Sequence, residues 1–245
     1  MDDFLVHAVT TGLTVRVDRP MPSLSPELDA RVEQLWRDAC AEAEHGKAGR
    51  LFNGQIFSAD RLHPQDITGH LTEFRRVVAQ MREPALFQEL HLRPLAVCGA
   101  LRCADGLVIG RRHADAVYQP AMWQLPPAGS VDAAAVRPDG SVDFAAALLA
   151  ELAEELGLPA STVDRPRPLC IVEHPGSHVC DFGLGLRTHL RAAEILAAHR
   201  RSGNAEYDPL RVVPDAELAD FLIHVRENLV PPALAFIQRL GLPAD

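Results

Sequence analysis

AELAEELGL, residues 150–158, is the stretch on which the reading of this chain turns. Glu151, Glu154 and Glu155 stand at i, i+3 and i+4, so a helix places their carboxylates on one face. Leu148, Leu149, Leu152 and Leu156 fill a neighbouring face and pin it to a core. Asp143 is placed to cap a helix running from Phe144 to Leu156, and Gly157, with Pro159 two residues on, to stop it. Like charges at this spacing repel by about 0.2–0.5 kcal/mol per pair. A hard divalent cation removes that repulsion, since Mg²⁺ takes oxygen ligands, typically one or two carboxylates plus substrate phosphates. On spacing alone, a solvated acidic helix face accounts for the same pattern.

Working outward, WQLPPAG (123–129) reads as a strand end running into a Pro/Gly loop, and residues 130–142 as a loop. Upstream, LAVCGALRC and LVIGRR are short strands joined at Ala104-Asp105-Gly106, where Asp-Gly marks a hairpin. Downstream, PLCIVEHPG and HVCDFGLGLRTHL form a second hairpin across Pro175-Gly176-Ser177. EYDPLRVVP is a further strand, and helices follow at Asp215 to Val225 and from Pro231 or Pro232 to Leu240. The first ninety residues are mixed. FLVHAV and LTVRV suggest a hairpin at Thr11-Gly12, and Ser25-Pro26 starts a helix ending near Gly46 or Gly49. LFNGQIFSADRL reads as a strand interrupted at Asn-Gly, and Thr72 to Met81 as helix. Strands and helices mix without strict βαβ alternation, which predicts an α/β (α+β) fold.

WQLPPAG, a loop and AELAEELGL together resemble the Nudix box, G-x5-E-x7-R-E-U-x-E-E-x-G-U with U apolar. Gly129 stands for the first Gly, and Glu151, Leu152, Glu154, Glu155, Gly157 and Leu158 match the helical half without a gap. Gly110-Arg111-Arg112 in the upstream hairpin adds to the likeness, which covers roughly residues 94–215. It implies a Nudix-type α-β-α sandwich with a mixed sheet over 91–245, carrying residues 1–90 as an α/β extension. Three departures stand out. The Arg before the first Glu is Ala150, the earlier Glu falls at Val142 with Asp143 one place off, and seven residues are extra in the loop. A helix with Trp36, then LFNGQIF and TEFRRVVAQ, also resembles the branch that cleaves UDP-sugars such as UDP-glucose.

The resemblance implies a Mg²⁺-dependent (or Mn²⁺-dependent) pyrophosphohydrolase acting on a nucleoside diphosphate linked to another moiety, such as a nucleotide sugar. Glu151, Glu154 and Glu155 would hold the metal, with backbone carbonyls near Ala128 and Gly129. Glu154 or Glu206 would take a proton from the attacking water. Arg111, Arg112 or Arg187 would meet phosphate and replace the charge missing at Ala150. The alternative, favoured by Ala150 and Val142, is a Nudix-like nucleotide-binding or regulatory module with little turnover.

Other residues are weighed against plainer roles. Trp123 and Tyr118 are candidates to stack on a base, though Trp123 heads a strand and suits a core. His174 and His178 read as surface residues of a hairpin turn. Cys98 and Cys103 read as core, and nothing suggests a Ser-His-Asp or Cys-His nucleophile.

The 245 residues carry 33 Asp+Glu against 24 Lys+Arg, a net charge of −9, which predicts no attraction for nucleic acid. No apolar run reaches the roughly 18–20 residues of a membrane span, and the acidic N-terminus lacks a signal-peptide layout. Five cysteines, an odd number with no CxxC, argue against a disulfide scaffold and for a reducing cytoplasm. The partner expected is a small-molecule nucleotide, and a homodimer is one assembly this reading allows.

Overall fold

The computed structural model describes residues 4–45, 51–114, 116 and 119–242. The first helix's expected end at Gly46 or Gly49, and Tyr118, lie outside the described residues. In chain order the elements are β1 (Leu5–Ala8), β2 (Thr14–Val17), α1 (Pro26–His45), β3 (Gln55–Leu62), β4 (Asp66–Glu73), α2 (Phe74–Arg82), α3 (Phe87–Leu90), β5 (Leu95–Cys103) and β6 (Gly106–Arg112). Then come β7 (Trp123–Gln124), β8 (Ala128–Ser130), α4 (Phe144–Leu156), β9 (Arg167–Glu173), β10 (Cys180–Arg187), α5 (Ala192–Ser202), β11 (Tyr207–Val213), α6 (Asp215–Val225) and α7 (Pro232–Arg239).

The main sheet is mixed, in the order β1-β9-β10-β5-β6-β11, with β10 parallel to β5 and the other neighbours antiparallel. Alternation along β5 feeds both faces. Leu95, Val97 and Leu101 join a core with the leucines of α4 and Ile195 of α5, whereas Cys98 and Ala100 join one with Leu218 and Leu222 of α6 and Phe236 of α7. The result is a three-layer α/β fold, helices on both sides of a mixed sheet. No helix among the described residues is long and apolar enough to cross a membrane, and none of the cysteines is in a disulfide.

Two N-terminal expectations are corrected. β1 and β2 do not form a hairpin at Thr11-Gly12. β1 pairs β9 as an edge of the main sheet, and β2 runs parallel to β4 in a separate sheet of order β2-β4-β3. Thr72 and Glu73 are not helical, because pairing with Ile56 and Gln55 draws them into β4, and the helix starts at Phe74. β3 and β4 approach closely at Gly69. A Cβ there would overlap the backbone oxygen of Ser58 and lie 2.9 Å from the Phe57 ring. Gly69→Ala is therefore expected to cost roughly 2–3 kcal/mol, the scale of overpacking a core. A urea-denaturation midpoint within error of wild type would refute this.

The β5/β6 hairpin positions the site. Its strands pair only next to the Asp-Gly turn, at Cys103↔Gly106 and Arg102↔Leu107. Beyond that they splay, and residues 123–130 wedge between them. β8 pairs β5 (Ala96↔Ser130, Val97↔Gly129, Cys98↔Ala128), and β7 pairs β6 (Gly110↔Gln124, Arg111↔Trp123). The fully buried Leu125 and the Pro126-Pro127 step fill the gap, and Gly99 N–H donates to the Pro127 carbonyl at 2.6 Å.

Candidate active site

α4 forms as its sequence dictates. The Asp143 side chain accepts from Ala146 N–H at 2.9 Å, and Gly157 closes the helix in the left-handed region at φ 65°. Leu148, Leu152 and Leu156 are fully buried, one helical turn apart. Glu151 and Glu155 are pulled in beside them, while Glu154 stays exposed. The box-like acid at 142 is absent in space as in sequence. Val142 is buried, and Asp143 is spent on the cap and on an ion pair with Arg137 at 2.5 Å.

Glu155 is 3% exposed, and its Oε2 accepts from the Ala128 N–H at 3.0 Å. Burial, with Glu151 and Glu206 nearby, pushes its carboxyl up to about 9 despite that hydrogen bond and the Arg112 charge. Glu151 is pushed up to about 7, by burial first and then by Glu154, Asp132 and Glu206. Its carboxylate lies against Gly129, where a Cβ would overlap Oε1. Gly129→Ala should therefore displace a flexible side-chain end rather than backbone. Activity is expected to fall roughly 10–100-fold, as when a group supporting a metal ligand is lost, with an unchanged melting temperature. Full activity in that variant would show that the Gly129–Glu151 contact is incidental.

The loop before β11 closes the other side. Asn204 N–H donates to the Glu154 carbonyl at 3.0 Å, which sets Glu206 facing the helix. Arg112 meets Glu206 at 3.1 Å and donates to Gln124 Oε1 at 2.6 Å. Tyr207, fully buried, packs its ring 2.6 Å from where a Cβ on Gly110 would stand. Its hydroxyl and Arg112 Nε are buried without a hydrogen-bond partner among the described residues.

The structure thus brings Glu151, Glu154, Glu155, Glu206, Gly129 and Arg112 to one cavity. Arg111 and Arg187 do not line it: Arg111 donates to the Ala121 carbonyl at 2.9 Å, and Arg187 is exposed at the end of β10. Ala150 is exposed on α4, and Arg112 is the arginine that faces the carboxylates. Trp123 is buried in the core beside Phe221. His174 is corrected from surface to interior: it is 4% exposed, with Nε2 2.5 Å from Asp181 Oδ2. His178 stacks on Phe87 and bonds Glu173. Asp181 also accepts from the Cys98 thiol at 3.4 Å, and burial pushes that thiol well up, so Cys98 is no nucleophile. Gln124, Asp181 and Asn204 line the cavity and carried no signal in the sequence.

The acidic side chains gathered here, Glu151, Glu154, Glu155 and Glu206, offer oxygen donors only, which suits a hard cation. The Glu151 carboxylate occupies the space that a Cβ at 129 would need. As the side chains stand, no three His, Cys, Asp or Glu among the described residues converge into one ligand group.

No protein-family model and no curated protein sequence matches the chain. Among solved structures, a Nudix hydrolase from M. smegmatis, RenU, is 21% identical over 61% of this chain and 84% of that one, with a TM-score of 0.41. A C. elegans Ap4A hydrolase binary complex is 11% identical over 60% of this chain and 95% of that one, at 0.39. A bifunctional NMN adenylyltransferase/ADP ribose pyrophosphatase from Francisella tularensis, complexed with AMP and a Mn ion, is 12% identical over 67% of this chain and 47% of that one, at 0.42. Each overlap is partial, so the functional reading rests on the chain's own residues.

Proposed function

We propose that this chain is a hydrolase of the pyrophosphate bond in a nucleoside diphosphate linked to another moiety, dependent on Mg²⁺ or Mn²⁺. The observation that carries it is the gathering of Glu151, Glu154, Glu155 and Glu206 with Arg112 at one cavity, where the buried Glu155 carboxyl is neutralised by a proton or by a cation beside it. Glu151, Glu154 and Glu155, with the Gly129 carbonyl, would hold the metal. The metal supplies polarisation of the diphosphate and a lowered pKa for bound water.

The chain's residues do the rest. Arg112 presents its guanidinium to a phosphate from beside Glu206. Glu206 or Glu154 accepts the proton of the attacking water. Gln124 fixes the arginine by its 2.6 Å hydrogen bond. Leu152 and Leu156 hold the helix in register with the Ala128 N–H. The products are a nucleoside monophosphate and a phosphorylated moiety. The N-terminal motifs suggest a nucleotide sugar such as UDP-glucose, a suggestion that the apolar walls of the cavity's far arm, described below, speak against.

Turnover of a nucleotide-diphosphate panel, read as phosphate after phosphatase coupling, tests this. Release with Mg²⁺ and none in excess EDTA is expected. Full activity in EDTA would sink the metal reading. Nucleotide binding without turnover of any panel member would favour the binding module, for which the unconverged carboxylates speak.

A further inference from the structure

The cavity does not end at the carboxylates. It is continuous over about 1140 Å³ and reaches the N-terminal helices, where Ala39 and Ala43 of α1, Ile56 of β3, and Phe74, Val78 and Met81 of α2 form its walls. Small-molecule sites occupy roughly 300–1,000 Å³, so there is space here for more than a nucleoside diphosphate.

This arm is apolar by construction. Ala39, Ala43 and Val78 line it, and the little surface they keep adds no polar side-chain atom to its wall. Among the described lining residues of α1, β3 and α2, the polar side chains are Glu42 and Arg82, and these bind each other at 2.9 and 2.5 Å. A sugar placed here would set its hydroxyls against apolar walls on three elements, with the Glu42–Arg82 pair, half open to water, as the polar group at the rim. An aliphatic chain would lose nothing and shed its apolar surface.

We infer that the moiety linked to the nucleoside diphosphate is an aliphatic chain, lodged between α1 and α2, and not a sugar. This rests on the pyrophosphohydrolase reading for the diphosphate end. In the step, the oxygen of water bonds to one phosphorus and the bridging P–O bond breaks. The bridging oxygen leaves with the other phosphorus, giving a nucleoside monophosphate and an alkyl phosphate. The protons of water pass to a carboxylate and to solvent, and no oxidant or second co-reactant is consumed.

The test uses the full chain and a homologous series, the ethyl, butyl, hexyl and octyl esters of ADP and of UDP, beside UDP-glucose. With Mg²⁺, KM is expected to fall about two- to fourfold per added methylene, with kcat nearly constant, and the octyl ester is expected to outperform UDP-glucose at least tenfold in kcat/KM. Val78→Asn should raise KM for the octyl ester at least tenfold more than for the ethyl ester, and the near-isosteric Val78→Thr should do the same in smaller measure if the first variant folds poorly. Calorimetric binding of the same esters in EDTA separates the two claims. Chain-length-dependent binding without turnover upholds the apolar arm and overturns the hydrolase. Turnover with a flat series, or preference for UDP-glucose, upholds the hydrolase and overturns the arm.

Discussion

Glu155→Gln is expected to make the metal-free protein more stable and the enzyme at least about 100-fold slower, the scale of losing an electrostatic catalytic group. Glu155 is the most buried of the glutamates and is pushed up to about 9. A carboxyl raised from 4.5 to about 9 is protonated in the folded state at pH 7, which costs on the order of 3 kcal/mol. Gln keeps an oxygen for the Ala128 N–H and carries no such cost. The sign follows from linkage: the folded state binds the extra proton, so wild-type stability rises as pH falls from about 9 towards the unfolded value. The advantage of the Gln variant in Tm should be roughly 5–10 °C at pH 7, shrink towards pH 5 and widen towards pH 8. Thermal melts in EDTA at the three pH values check this. A variant less stable than wild type at pH 8 would show that Glu155 is not a strained charge.

Glu151→Gln should also slow turnover at least about 100-fold, with a different stability signature. Glu151 is only half-buried and its carboxyl reaches about 7. In EDTA its Gln variant should gain between pH 5 and about 7 much as the Glu155 variant does and then level off, because the folded wild type holds its extra proton only below about 7. Mg²⁺ should raise the wild-type Tm by mass action and raise that of either variant less. If both variants keep near-wild-type rates, the acidic face of α4 is a solvated surface and the hydrolase reading falls.

What the sequence made legible was local. α4 and α6 follow the expected bounds to the residue, and in α4 a cap, a leucine periodicity and a stop lie within a few residues of each other. The β9/β10 hairpin is where Pro175-Gly176-Ser177 placed it. β4 and α5 carried no comparable signal and went unread. The Thr11-Gly12 hairpin failed because each flanking strand finds its partner far along the chain: Leu5 lies opposite Glu173. Among the arginines, alternation sends Arg111 and Arg112 to opposite faces of β6, and which one faces the carboxylates is settled by the distant β11, where Tyr207 lies opposite Arg112. His174 hides for the same reason, since its partner Asp181 sits across the hairpin.

The splayed β5/β6 pair ties the site to both halves of the molecule by packing more than by ladder bonds. β7 and β8 are held by two and three register pairs, against eight between β5 and β10. What fixes the segment between them is its buried side chains, Leu125 in the core under α6 and α7 and Val131 in the core under α4. The Ala128 N–H that meets Glu155 is thus aimed from both faces of the sheet at once. A cavity opened in either core would shift that N–H, and with it the ease with which Glu155 gives up its proton.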